Sequence, residues 1–123
     1  MGWTFREDLP IYSQLVDEMT RAIVSGAYAP GERLPTVRDL AMDAGVNPNT
    51  VQRALSELER SALVYTQRTS GRFVTEDRAV IAEAREQMAQ GRIAEFLSEM
   101  DGLGFSRGEI VSLIEQAQPV KKD

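Results

Sequence analysis

Apolar residues recur at helical spacing in several separate stretches of the chain. Leu15, Met19, Ala22 and Ile23 share one face of the segment from Ile11 to Ser25, which predicts an amphipathic helix closed at Gly26. Val37, Leu40, Ala41 and Ala44 repeat at offsets 0, 3, 4 and 7, and Val51, Ala54, Leu55 and Leu58 repeat in the same way. Each set predicts a helix with a single apolar face. Between these two helices the punctuation is dense. Thr36 is placed to cap the first, with Asp39 in its first turn, where a carboxylate favours the positive helix end. Gly45 suits the left-handed conformation that ends a helix, and Asn47 followed by Pro48 supplies a fresh N-cap with proline at the first helical position. One helix therefore stops and another starts within about three residues. Tyr28 to Arg33, with Pro30 and Gly31, reads as a turn-rich connector ahead of the pair. Trp3 and Phe5, before the first helix, read as core or interface packing.

The pattern then changes. Leu63 to Gln67 is rich in β-branched and aromatic residues, and Arg72 to Thr75 resembles it across Arg68-Thr69-Ser70-Gly71. This predicts a β-hairpin with glycine at the turn. Helical spacing returns in Val80, Ile81, Ala84, Met88, Ile93, Phe96, Leu97 and Met100, a long stripe that follows the capping segment Thr75-Glu76-Asp77 and runs to about Asp101. Gly102-Leu103-Gly104-Phe105 breaks the stripe. Ser106 and Glu109 then form a Ser-x-x-Glu capping box ahead of Ile110, Leu113, Ile114 and Ala117.

Two short helices joined by a tight turn, with a polar outer face on the second, are the sequence form of a helix-turn-helix, which places one helix in the major groove of DNA. At 100° per residue Asn49, Arg53, Ser56 and Arg60 lie opposite the Val51–Leu58 stripe, with Gln52 on its flank. Arginine pairs bidentately with guanine, asparagine and glutamine with adenine, and threonine with either, so Asn49, Thr50, Gln52 and Arg53 are candidates for reading bases. A hairpin directly after such a unit is a wing, and Arg68 and Arg72 flank its tip. Gly71 suits both an ordinary turn and close approach to another surface, because it has no Cβ.

The order and spacing of these segments resemble a known family. Pro10-Ile11-Tyr12-Ser13-Gln14-Leu15, Ile23-Val24-Ser25-Gly26, Pro30 to Ala41 and Gly45 to Ala54 look like the N-terminal winged-helix domain of GntR-family transcription regulators, and the Pro-Ile-Tyr opening, the Asn-Pro-Asn-Thr-Val segment and the short tail look most like the YtrA subfamily. The likeness covers about the first 75 residues. It implies DNA contacts from Arg38, from Asn47, Asn49, Thr50, Gln52 and Arg53, and from Gly71 at the wing; Thr36, Arg68 and Arg72 complete the candidate set. Many relatives carry an aromatic residue where Leu55 stands, a core position here. Many also carry a basic residue where this chain has Pro48, so their target sequence does not transfer.

Composition narrows the class further. The chain has 123 residues without cysteine or histidine, which removes disulfides, thiolate chemistry, His-dependent triads and His or Cys metal sites. No cofactor or metal is expected, and exposed glutamates without a convergent pocket motif argue against an enzyme. No apolar run approaches about 18 residues and the N-terminus lacks a signal-peptide layout, so no membrane partner and a cytoplasmic location are expected. The net charge of −5 works against non-specific attraction to DNA. Between Asn47 and Thr75, however, Arg53, Arg60, Arg68 and Arg72 face only Glu57 and Glu59, a local excess of +2. Sign asymmetry within the domain matters more than the total.

The predicted architecture is mainly α with a small β-hairpin: a winged helix-turn-helix over residues 1–77 and a two-helix segment over 78–123. Two helices with one apolar face each bury themselves poorly alone. Ile81, Ala84, Met88, Ile93, Phe96, Leu97, Met100, Ile110, Leu113 and Ile114 are therefore expected to meet a second copy, as paired half-sites require. The 46 residues from Arg78 onward leave little room for an enclosed ligand pocket, although a small effector at the dimer interface stays open. The Lys121-Lys122-Asp123 tail is expected to be disordered. The expected function is a homodimeric, sequence-specific DNA-binding regulator, read as a repressor on an inverted-repeat operator. A winged-helix protein-interaction module without DNA contacts is the alternative.

Overall fold

The computed structural model describes residues 3–119, which form α1 (Ile11–Val24), α2 (Val37–Ala44), α3 (Pro48–Arg60), β1 (Val64–Gln67), β2 (Gly71–Val74), α4 (Arg78–Gly102) and α5 (Arg107–Gln116). The Lys121-Lys122-Asp123 tail lies outside the described residues. Helix ends follow the punctuation of the sequence. Thr36 Oγ1 accepts from the Asp39 amide at 3.1 Å, and Asn47 Oδ1 accepts from the Asn49 amide at 2.8 Å. Gly45 closes α2 at φ 68°, and both halves of the Ser106–Glu109 capping box are formed ahead of α5.

Two compact units divide the chain between Glu86 and Gln87, inside α4. In the first unit Leu15, Met19 and Ile23 of α1, Leu40 and Ala41 of α2, and Val51, Ala54, Leu55 and Leu58 of α3 make one buried cluster with Leu34, Leu63, Val64 and Val74. Every apolar position predicted for the faces of α2 and α3 is buried or packed against this cluster. Leu55 is fully buried, as expected of a position on the apolar stripe of α3. Val80, Ile81 and Ala84, from the start of α4, also pack on the cluster. The compact unit thus extends about two and a half turns past the Asp77 boundary expected from sequence, because α4 begins with an apolar face that this core covers.

The hairpin pairs Val64 with Val74, Tyr65 with Phe73, Thr66 with Arg72 and Gln67 with Gly71. Gly71 is consequently the first residue of β2, not part of the turn, and the tip consists of Arg68, Thr69 and Ser70. The connector before α2 also joins the wing. Gly31 N donates to Val74 O at 2.9 Å, Val74 N to Glu32 O at 2.9 Å, and Leu34 N to Arg72 O at 2.8 Å, which places Arg33 opposite Phe73. The wing therefore has a short third edge that composition described only as a turn.

The second unit contains the C-terminal part of α4 and all of α5. Ile110 is buried, and Met88, Leu97 and Met100 are half-buried. Ile93 and Ile114 remain 54% and 57% exposed, with Phe96, Leu103, Val111 and Leu113 also open to solvent. None of the described helices is long and apolar enough to cross a membrane.

Candidate nucleic-acid interface

α3 turns its Val51–Leu58 stripe into the core, so its opposite face is fixed by the packing of the first unit. Asn49, Gln52, Arg53 and Ser56 are exposed on α3, and Thr50 is half-buried. Ser56 uses its hydroxyl locally, donating to Gln52 O at 3.0 Å. Thr36 and Asn47 stand at the N-termini of α2 and α3, where their side-chain oxygens are occupied as caps. A capping oxygen accepts a backbone amide and leaves the hydroxyl or amide donors of the same side chain for another acceptor. Both cap amides also belong to helix ends that favour anions.

The arginines divide into two groups. Arg60 pairs with Glu57 at 3.2 Å, and Arg72 pairs with Glu59 at 2.8 Å. Arg38 on α2, Arg53 on α3 and Arg68 at the wing tip have no carboxylate partner among the described residues. The local positive excess read from composition is therefore carried by Arg53 and Arg68. Arg72 corrects the sequence expectation. It does not project from the tip: its half-buried side chain points back to α3, where the Glu59 carboxylate and the ladder position opposite Thr66 hold it. Hydrogen bonding from the Arg72 guanidinium holds the Glu59 carboxyl below the usual glutamate range, with Thr66 as a further donor.

Gly71 has two reasons to be glycine. Its φ of 107° belongs to a region that L side chains rarely adopt, and a Cβ there would sit 3.2 Å from Nε of Arg33. Arg33 is exposed and lies against the wing backbone, a cation that the periodicity of the sequence did not single out. Tyr12 was missed as well. The guanidinium carbon of Arg53 lies 3.6 Å from the centroid of the Tyr12 ring, and Ile11, Tyr12, Asn49, Thr50 and Arg53 line one groove of about 430 Å³. Only the position of Tyr12 in the first turn of α1 hinted at this. Its neighbour is 41 residues away and is brought to it by the packing of α1 on α3.

Of the residues expected at a dimer interface, Ile81 and Ala84 lie against the core of the first unit, so intrachain packing already occupies them. Ile110 is buried in the second unit, outside the core cluster of the first.

A tight helix pair whose second helix shows a polar outer face, followed by a hairpin bonded to its end, defines a winged helix-turn-helix. Residues 11–74 match the family described as bacterial regulatory proteins, gntR family, and the chain belongs to that family of transcription regulators. It is similar to the HTH-type transcriptional repressor YtrA of Bacillus subtilis, with 30% identity over 96% of this chain and 89% of that protein. A GntR-family transcriptional regulator from Listeria monocytogenes has the same fold at a TM-score of 0.85 and 37% identity, covering 93% of this chain and all of the other. AraR(DBD), solved in complex with operator ORR3, matches 61% of this chain and 88% of its own at a TM-score of 0.53 and 31% identity. These are regulators of transcription, not enzymes.

Proposed function

We propose that this protein represses transcription by binding an inverted-repeat operator as a homodimer. The observation that carries the reading is the donor set on the outer face of α3. Asn49, Gln52 and Arg53 are exposed there, the core fixes their direction, and Arg53 faces no carboxylate among the described residues. In this reading Asn49, Thr50, Gln52 and Arg53 meet base edges. Arg38, with the caps Thr36 and Asn47, meets phosphates, while Arg68 and the backbone at Gly71 approach the groove beside α3. Arg72 acts through Glu59 by fixing the wing. The operator complex of AraR(DBD) and the repressor YtrA support operator binding and repression by similarity.

Dimerisation is assigned to the second unit. Ile93, Phe96, Leu113 and Ile114 leave apolar surface in water, and Met88, Leu97, Met100 and Ile110 supply its buried or half-buried remainder. A second copy covers such a surface and brings a second reading head to the other half-site. Selection of the purified protein on random duplex DNA tests the whole reading. An enriched inverted repeat is the expected outcome. A failure to enrich any sequence would leave the winged helix as a protein-interaction module.

A further inference from the structure

Arg53 is the cation on the exposed face of α3 that has no carboxylate partner among the described residues, and in the free protein an aromatic ring holds it. Its guanidinium carbon sits 3.6 Å above the Tyr12 ring centroid, at contact distance. Tyr12 is half-buried in the first turn of α1, a helix anchored to α3 through Leu15, Met19 and Ile23, so the ring is a fixed platform. Asn49, one turn before Arg53, lines the same groove as Tyr12 and Arg53. No carboxylate competes for the guanidinium among the described residues.

A guanidinium bound by its face keeps its N–H donors, which lie in its plane, free to point outward. Stacking thus restricts a flexible side chain without consuming its hydrogen bonds, whereas a salt bridge would consume them. We propose that Tyr12 is a positioning residue for Arg53: the ring holds the guanidinium beside Asn49 with its edge presented to the operator. This inference rests on the DNA-binding reading above. It adds a residue of α1, outside the helix-turn-helix, to the determinants of specificity.

The test combines proton NMR of the free full-length protein with binding to the duplex enriched by selection. In the free protein the δ-methylene protons of Arg53 should be shifted upfield by the ring current, and Tyr12→Leu should abolish the shift. Tyr12→Leu should weaken specific binding about two- to fivefold, as befits an exposed cation–π contact, with the salt slope unchanged because no phosphate contact is lost. Tyr12→Phe, which retains the ring, should restore both the shift and the affinity. In an Arg53→Ala background Tyr12→Leu should cost nothing further. An equal loss with and without Arg53, or a wild type lacking the upfield shift, overturns the positioning role while leaving the DNA reading standing. A wild type that shows the shift but binds no duplex overturns the DNA reading and this inference with it.

Discussion

Arg72 Nε donates to a carboxylate oxygen of Glu59 at 2.8 Å, tying the returning strand of the wing to the last turn of α3. Side-chain exposures of 21% and 34% place the pair at the margin of the core, where solvent screens part of the attraction. Its consequence is geometric. Helix α3 and the hairpin beside it are held at one relative position by a charge-assisted bond, supported by the backbone ladder that Arg33 and Leu34 extend.

The pair should give the wing a measurable pH dependence. Hydrogen bonding to Arg72 depresses the Glu59 carboxyl in the folded state, so its stabilisation is present above the unfolded glutamate value and is lost as pH falls through the lower folded value. At neutral pH Glu59→Gln should destabilise the protein by about 0.5–1 kcal/mol after allowance for exposure. As pH falls through that lower folded value the difference should close, since the wild-type carboxyl is then protonated as well. Melting temperatures of both proteins across this range decide the point. A gap independent of pH would mean that the pair contributes shape but no charge.

Ala62 offers a stabilising substitution. After α3 its amide bonds to Glu59 O and that of Leu63 to Leu58 O, a six-to-one and five-to-two closure that requires a left-handed residue at position 62. Ala62 takes φ 65°, the sole positive φ among the described non-glycine residues. The same closure after α4 uses Gly104, at φ 90°, with Phe105 N bonded to Met100 O. Ala62→Gly should therefore relieve strain and raise stability by about 1 kcal/mol, partly offset by the freedom glycine gains in the unfolded chain. Denaturant unfolding measures it. A less stable variant would show that the Ala62 methyl makes packing contacts that outweigh the strain.

Local signals made most of this fold readable. Offsets of 3, 4 and 7 marked the buried faces of α2 and α3, and the pairs Thr36–Asp39, Asn47–Pro48 and Ser106–Glu109 marked helix starts that the caps now occupy. What stayed hidden depends on partners distant in sequence. Arg72 looked like a free wing-tip cation because nothing in its neighbourhood revealed Glu59, 13 residues earlier and on another element. The edge made by Gly31 to Leu34 carries no alternation, since its order comes from β2 and not from its own side chains. Ile81 and Ala84 sit on the same apolar stripe as Ile93 and Phe96, and only the fold distinguishes the end that meets the core.

The proposed division of labour between base and phosphate contacts would separate Arg53 from Arg38. Arg53→Ala should weaken binding to the selected operator by about 1–3 kcal/mol and relax sequence preference at one position. Arg38→Ala should weaken all duplexes alike and lower the slope of log affinity against log salt by about 1. Titrations at several salt concentrations on operator and scrambled duplexes distinguish the two. Unchanged affinity in both variants would mean that another face meets the DNA.

Gly71 combines a backbone requirement with a neighbour. Gly71→Val must adopt a φ near 107° and displace the Arg33 side chain, which is flexible and can move. Strain of about 1–3 kcal/mol is expected from the backbone alone, so the melting temperature should fall. Operator affinity should fall further than that loss implies, because a branched side chain also blocks close approach of the wing to the duplex. Affinity measured well below the melting temperature separates the effects. Normal binding by a less stable protein would confine Gly71 to a role in the strand.

The two units should differ in their dependence on a partner. A fragment ending at Glu86 retains Val80, Ile81 and Ala84 against the core and should fold as a monomer, whereas one ending at Asp77 uncovers that part of the core and should melt earlier. Neither fragment keeps Ile93, Phe96, Leu113 or Ile114, so both should bind a paired operator without the gain from linkage, about 10²- to 10⁴-fold. Phe96→Asp in the full chain should reproduce the loss. Phe96 is 38% exposed in the single chain, so a carboxylate is hydrated there, but in a dimer contact the same charge would cost several kcal/mol. Sedimentation of the two fragments and the point variant, with binding measured on single and paired half-sites, provides the comparison. A fragment ending at Glu86 that remains dimeric and binds the paired site at full strength would move the dimer contacts into the first unit.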